Sequence, residues 1–237
     1  MLLLGAGLAV SLCAGMLGYL ALVKLFSGLT ADQKQFYNFV AYNVSVYFTG
    51  LILIHFFLRY HALTWSEFLG PARPGFGRAI ALAVAVVVVA LPVTLGLNSL
   101  CEILLTQLLG KVETQPSMKI LEISLSVPQR VYFGFSAIVL APLIEETLFR
   151  AILYRGIKQR GYPRLALWGS SLLFATIHFS LLTFVPLTVL AIILAVLYDK
   201  ADHFAAPVIA HSVFNAANFF LFLNREEVTR WWHDIFR

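Results

Sequence analysis

Apolar residues occupy this chain in long blocks separated by short polar breaks, and most blocks have the length of a membrane span. Crossing ~30 Å of hydrocarbon takes about 20 helical residues. Blocks at about 2–26, 36–58, 79–97, 131–160, 165–179, 181–197 and 205–223 therefore predict an all-α fold. The expected architecture is a polytopic transmembrane helical bundle of about seven spans, six to eight by where the breaks are drawn, with interfacial amphipathic helices beside it. The first block sets Gly7, Ser11 and Gly15 at four-residue spacing, the small-residue stripe that lets membrane helices approach closely. In the second, His55 reads as a hydrogen-bonded structural histidine rather than a cavity lining. Turn formers and two arginines from Gly70 to Arg78 mark a break.

Residues 98–130 mix acids, bases and apolar side chains. Leu100, Leu104 and Leu108 recur at helical spacing until Gly110, Lys111 and Pro116 interrupt, which predicts one or two interfacial pieces. The block from Val131 is long for one span, and Pro142 within it should free a backbone carbonyl and kink the helix. At the end of the chain, Val228, Trp231, Trp232, Ile235 and Phe236 share a helix face and predict an interfacial helix anchored by tryptophans. Three parts result: helices and an interfacial segment over 1–130, a core over 131–223 and an interfacial tail over 224–237.

Composition agrees. Hydrophobic residues make up 60% and charged residues 12%, against about a quarter charged in soluble domains. The net charge of +5 is spread along the chain, which suits membrane lipid headgroups and gives no footprint for nucleic acid. Cys13 and Cys101 stand in different blocks with no motif, so neither a disulfide framework nor a thiolate metal site is expected. With seven spans, Arg59, Arg73, Arg78, the basic residues from Arg150 to Arg164 and Lys200 share the side of the N-terminus, which the positive-inside rule places in the cytosol.

Against this background Ala141-Pro-Leu-Ile-Glu-Glu-Thr-Leu-Phe-Arg150 is the costly stretch, because ionisable groups at membrane depth persist mainly where they face a cavity and work. On an ideal helix Glu146 and Arg150 lie one turn apart on one face, whereas Glu145 points well away from Arg150. The other polar groups in the apolar blocks of this half are His178, His211, Asn215 and Asn218, the last three spaced for one helix face. Ser170, Ser171 and Ser212 lack the context of an activated nucleophile. What remains suits direct attack by water: a desolvated glutamate as base, a histidine to orient the water, and a histidine and an asparagine to donate to an oxyanion. One Glu with two His is also a zinc set, here Glu145, His178 and His211, although the H-E-x-x-H spacing is absent.

E-E-x-x-x-R from Glu145 to Arg150, F-x-x-x-H from Phe174 to His178 and H-x-x-x-N from His211 to Asn215, in that order, resemble the CPBP family of CAAX-processing endopeptidases and Abi or bacteriocin-immunity membrane proteins. The resemblance covers about 130–223. It implies an intramembrane endopeptidase in which Glu145 and His178 activate water and His211 and Asn215 form the oxyanion hole, with Glu146, Arg150, Phe174 and Asn218 in support. Ala151 departs from the glycine many members carry after the arginine. The implied partners are a protein or peptide substrate, lipid-modified ones included, and membrane lipids. No cofactor is expected to be required, with Zn2+ or another divalent metal as the alternative. The implied place is the plasma (inner) membrane, multi-pass, with the site toward the cytosol. A non-catalytic immunity or scaffold protein and a proton-coupled carrier are the competing readings.

Overall fold

The computed structural model describes residues 17, 18, 20, 21, 24, 28–69, 75–123, 126–227 and 230. The stripe of Gly7, Ser11 and Gly15, Cys13, most of the Gly70–Arg78 linker and the tryptophan face of the tail lie outside them. The described residues from Ala31 to Leu223 form eight helices and no strand: α1 (Ala31–Tyr60), α2 (Trp65–Leu69), α3 (Phe76–Leu109), α4 (Pro116–Glu122), α5, α6 (Pro163–Thr176), α7 (Leu181–Ala201) and α8 (Ala205–Leu223). α5 runs unbroken through 127–159. It is α-helical at Val127–Phe135, π-helical at Ser136–Leu140, α-helical at Ala141–Glu146, π-helical at Thr147–Tyr154 and α-helical again at Arg155–Gln159.

Local chemistry sets the ends. Thr30 begins α1 with a reciprocal cap: its Oγ1 accepts from Gln33 N at 3.3 Å and its N–H donates to Gln33 Oε1 at 2.9 Å. α3 starts after Gly75 at φ 95 and stops at Gly110 at φ 77, left-handed positions that glycine takes without a Cβ clash. α4 and α6 carry Pro116 and Pro163 in their first turn, where a missing N–H costs nothing.

Four of these helices, α1, α3, α7 and α8, are long and apolar enough to cross a membrane. The count of about seven is not reproduced, for identifiable reasons. Most of the first predicted span lies outside the described residues, α5 is broken into α and π stretches, and α6 has only 14 residues. The predicted interfacial segment is also corrected: Leu100, Leu104 and Leu108 belong to α3, which continues through 34 residues. Nothing but Gly110 stops it, since no breaker stands between 98 and 109. α4 alone is a short separate piece of that segment. His55 lies exposed on the outer face of α1, so it is neither a buried structural group nor a cavity lining.

α7 is apolar on all sides and the most buried of the four long helices, as a central helix must be. It packs on α3 and α6, and with α3 and α8 it builds the largest core, from Ala83 and Val87 through Leu190 and Leu194 to Ala210 and Phe214. α1 faces inward with Phe36, Asn43, Gly50, Ile54 and Leu58 at helical spacing. One end of the bundle joins Phe68 to Phe204 (4.8 Å between rings) and Lys158 to Asp199 (2.6 Å). The other gathers Phe36, Ile120 and Phe133 with Phe219 and Phe222.

α1 meets the helix of the two carboxylates at Gly50. A Cβ built there would stand 2.6 Å from Ile144 Cγ2, which sits on a branched carbon and cannot swing away. Gly50→Ala is therefore expected to destabilise the protein by about 1–3 kcal/mol, the usual cost of overpacking a filled contact. Thermal unfolding in detergent measures it. An unchanged melting temperature would show that α1 and α5 do not touch as described.

Candidate active site

The π turn before Pro142 shapes the site. In Ser136–Leu140 the Ala141 N–H donates to Ser136 O, five residues back. The next donor in that ladder would be Pro142, which has no N–H, so Ala137 O is left open. Asn215 Nδ2 donates to it at 2.8 Å. The expected carbonyl release is thus real, and it ties α8 to α5 just below the carboxylates. It also uses one of the two N–H groups of Asn215. On the neighbouring residue, Ser136 Oγ and the Tyr47 hydroxyl are hydrogen-bonded at 2.9 Å, which brings α1 to the same layer.

Further along α5, Glu146 is fully buried and Arg150 is 2% exposed. Arg150 Nε lies 3.0 Å from Glu146 Oε2, as the i, i+4 spacing predicted. The two atoms are close yet misaligned for a hydrogen bond, so Oε2 lacks a directed donor, and Arg150 Nη1 has none to give to. Polar atoms in such a position are the usual hosts of buried water. Arg150 Nη2 donates to Ala191 O at 3.3 Å, and its guanidinium lies 4.9 Å from the centre of the Phe174 ring.

His211 joins the two carboxylates. Its Nδ1 is 2.8 Å from Glu146 Oε1, and its Nε2 is 3.9 Å from Glu145 Oε2. Glu145 differs from its neighbour in being 24% exposed at the side chain.

Phe174, fully buried, is the hub that the F-x-x-x-H motif supplies. Its ring touches Phe149 edge-on at 5.2 Å, His211 at 5.9 Å and His178 at 4.8 Å. His178 itself lies beyond the end of α6, correcting the expectation that helix continues to 179. The chain turns there through Phe179 at φ 50. His178 Nδ1 is 2.7 Å from Phe174 O, and since a carbonyl only accepts, Nδ1 carries the proton. No carboxylate comes within ion-pair distance of His178 among the described residues.

Glu145, Glu146, Arg150, Phe174 and His211 are therefore brought together. His178 lies against the same aromatic ring without a polar link, Asn215 is turned to Ala137, and Asn218 Nδ2 donates to Phe214 O of its own helix at 2.9 Å. Among the described residues no three His, Cys, Asp or Glu side chains converge as metal ligands, so the set Glu145, His178, His211 does not fit zinc as arranged. Tyr47 and Ser136 were not singled out by sequence reasoning. The signal for Ser136 was the proline six residues on, and Tyr47 carried none.

The helical bundle buries a carboxylate–histidine–arginine centre between apolar helices, and the comparison with known families says what that arrangement is similar to. Residues 127–217, which hold all three motifs, match the family described as type II CAAX prenyl endopeptidase Rce1-like. Over that stretch the chain is similar to an enzyme family of CAAX-type proteases, and its apolar helices make it an integral membrane protein. No curated protein and no solved structure matches the chain.

Proposed function

We propose that this protein is an intramembrane endopeptidase that hydrolyses a peptide bond of a protein or peptide substrate by direct attack of water. Glu145 is the base. In this reading Glu145 and His178 act on the water, and His211 and Asn215 face the oxyanion, as the family resemblance implies. The observation that carries it is the contrast between the two glutamates: Glu146 faces Arg150 and His211 and is fully buried, whereas Glu145 remains partly exposed beside a histidine. A base must reach a water that also reaches substrate, and Glu145 is the more exposed of the two carboxylates. The water gives a proton to Glu145 as its oxygen bonds to the carbonyl carbon; the proton then passes to the leaving nitrogen as the C–N bond breaks.

This reading assigns the reaction to side chains alone, with Zn2+ or another divalent metal as the alternative. The name of the matching family makes a prenylated CAAX peptide the first substrate to try. Purified protein in liposomes is expected to release the terminal tripeptide from a farnesylated Cys-aliphatic-aliphatic-X peptide, and to do so equally after treatment with a chelator. Activity lost to the chelator and restored by zinc would overturn the metal-free reading.

We further place the protein in the plasma (inner) membrane with the Arg155–Arg164 end in the cytosol, supported by the basic residues at that end. In a variant without Cys13 and Cys101, single cysteines at Gln159 and Lys111, both exposed, report the two ends. An impermeant thiol reagent added to intact cells is expected to label position 111 and spare 159. The opposite pattern would invert the topology.

A further inference from the structure

The inward face of α1 carries a buried amide that the bundle does not use. Asn43 is 8% exposed, and its side chain forms no hydrogen bond among the described residues. Burying a carboxamide without a partner costs free energy, so its place in a folded bundle calls for a reason.

Phe39, Asn43 and Tyr47 follow one another at one-turn spacing and share a face of α1. Phe39 stacks on Phe133 of α5 at 5.3 Å, and the Tyr47 hydroxyl is hydrogen-bonded to Ser136 Oγ at 2.9 Å. Asn43, between them, therefore faces α5 where the π stretch Ser136–Leu140 begins. α1 packs closely on α4 and on Ala141–Glu146, and less closely on the π stretch that lies between them. The polar groups at that level already have partners: Ala137 O accepts from Asn215 Nδ2 at 2.8 Å, and Ser136 holds Tyr47. Capping the π turn thus does not explain Asn43.

A carboxamide offers a donor and an acceptor side by side, the complement of one peptide unit. A peptide that enters a helical bundle leaves its hydration behind, and each N–H or C=O without a new partner weakens its binding. Ser136 stands nine residues before Glu145. At ~1.5 Å per residue the two levels are ~13 Å apart along the helix, a span that an extended peptide covers in about four residues.

We propose that Asn43 is a substrate-binding residue. Its Oδ1 accepts from, and its Nδ2 donates to, the main chain of an extended substrate about four residues from the bond that is cut, between α1 and the π stretch of α5. This rests on the endopeptidase reading and extends it to a helix outside residues 127–217, the stretch that matches the family.

Asn43→Leu tests it, since it keeps the size of the side chain and removes both hydrogen-bonding groups. In thermal unfolding of the purified protein this variant is expected to be as stable as the wild type or more so, because an apolar group replaces an unpaired amide. A lower melting temperature would show that the amide serves the fold and would overturn the proposal. Cleavage of the farnesylated peptide, extended on its amino side, is read in liposomes. Asn43→Leu should raise KM about 10-fold with kcat little changed, the scale of a hydrogen-bonding partner lost from a complex. Asn43→Gln, which keeps the amide, should recover part of that loss. Peptides in which one main-chain N–H at a time is replaced by an ester oxygen locate the contact. The wild type is expected to bind more weakly when the ester lies about four residues from the cut, and Asn43→Leu to show no further loss at that position alone. Wild-type KM in Asn43→Leu, or the same losses in both proteins at every position, would overturn the proposal while leaving the peptidase intact. No cleavage by the wild type, or undiminished cleavage by Glu145→Gln, would sink the endopeptidase reading and the proposal with it.

Discussion

Glu145→Gln is expected to lower turnover at least ~100-fold and to leave the melting temperature near that of the wild type. The substitution keeps the shape of the side chain and removes only its ability to take a proton, and losing a general base typically costs 10²–10⁴-fold. Stability should be spared for a structural reason. Glu145 is 24% exposed, makes no contact with Arg150 and approaches His211 only at 3.9 Å, so no buried charge is stranded when it becomes neutral. Peptide cleavage by purified variants, with unfolding followed through intrinsic tryptophan fluorescence, separates the two effects. A variant that is inactive because it no longer folds would show that Glu145 holds the bundle together instead.

Arg150→Ala carries the largest expected effect on stability. It leaves Glu146 fully buried with no cation, opens space beside the Phe174 ring and removes the side-chain hydrogen bond to Ala191 O. Breaking a buried pair from one side costs about 3–5 kcal/mol, on the order of 10 °C in melting temperature for a chain of this size. The charge is what matters, so removing both members should hurt less than removing one. Arg150→Met combined with Glu146→Leu is expected to regain most of the lost stability, because apolar replacement of a buried pair is often neutral or better. It should remain inactive, since His211 loses its partner. If the double variant is no more stable than Arg150→Ala, the loss is one of packing rather than of an unpaired carboxylate.

The contrast between these two variants was legible in the sequence only in part. Helical spacing alone placed Glu146 beside Arg150 and turned Glu145 away, because a turn of helix fixes which side chains face each other. It also placed His211 and Asn215 on one face of α8. What spacing cannot give is the partner across the bundle. His211 meets Glu146 at a separation of 65 residues, and that contact exists only once α8 has packed on α5. The same holds for Asn215, which shares its face with His211 as expected and yet donates to a carbonyl that the π turn exposes.

The fold shows the same division. Long apolar blocks predicted the helical class and the positions of α1, α3, α7 and α8, since burial in lipid demands continuous hydrophobicity. Boundaries fared worse where two signals competed. Glu102 and Gln107 lowered the apolar density after residue 97 and suggested an interfacial helix, but α3 simply carries those side chains on its exposed face to Leu109. At His178 the reverse occurred. The apolar pattern ran on past Thr176, yet the chain had to turn before Ser180, whose hydroxyl accepts from Thr183 N at 3.3 Å to start α7. The second motif therefore ends in a turn, and its phenylalanine, not its histidine, sits at the centre of the site.

The claim that Glu145 drives hydrolysis of a peptide bond is tested most directly by an unbiased comparison of protein N-termini in membranes bearing either the wild-type protein or Glu145→Gln at matched abundance. The account predicts at least one new N-terminus that is present with the wild type and missing with the variant. Identical sets of N-termini, with both proteins folded and substrate-bearing membranes in hand, would contradict it.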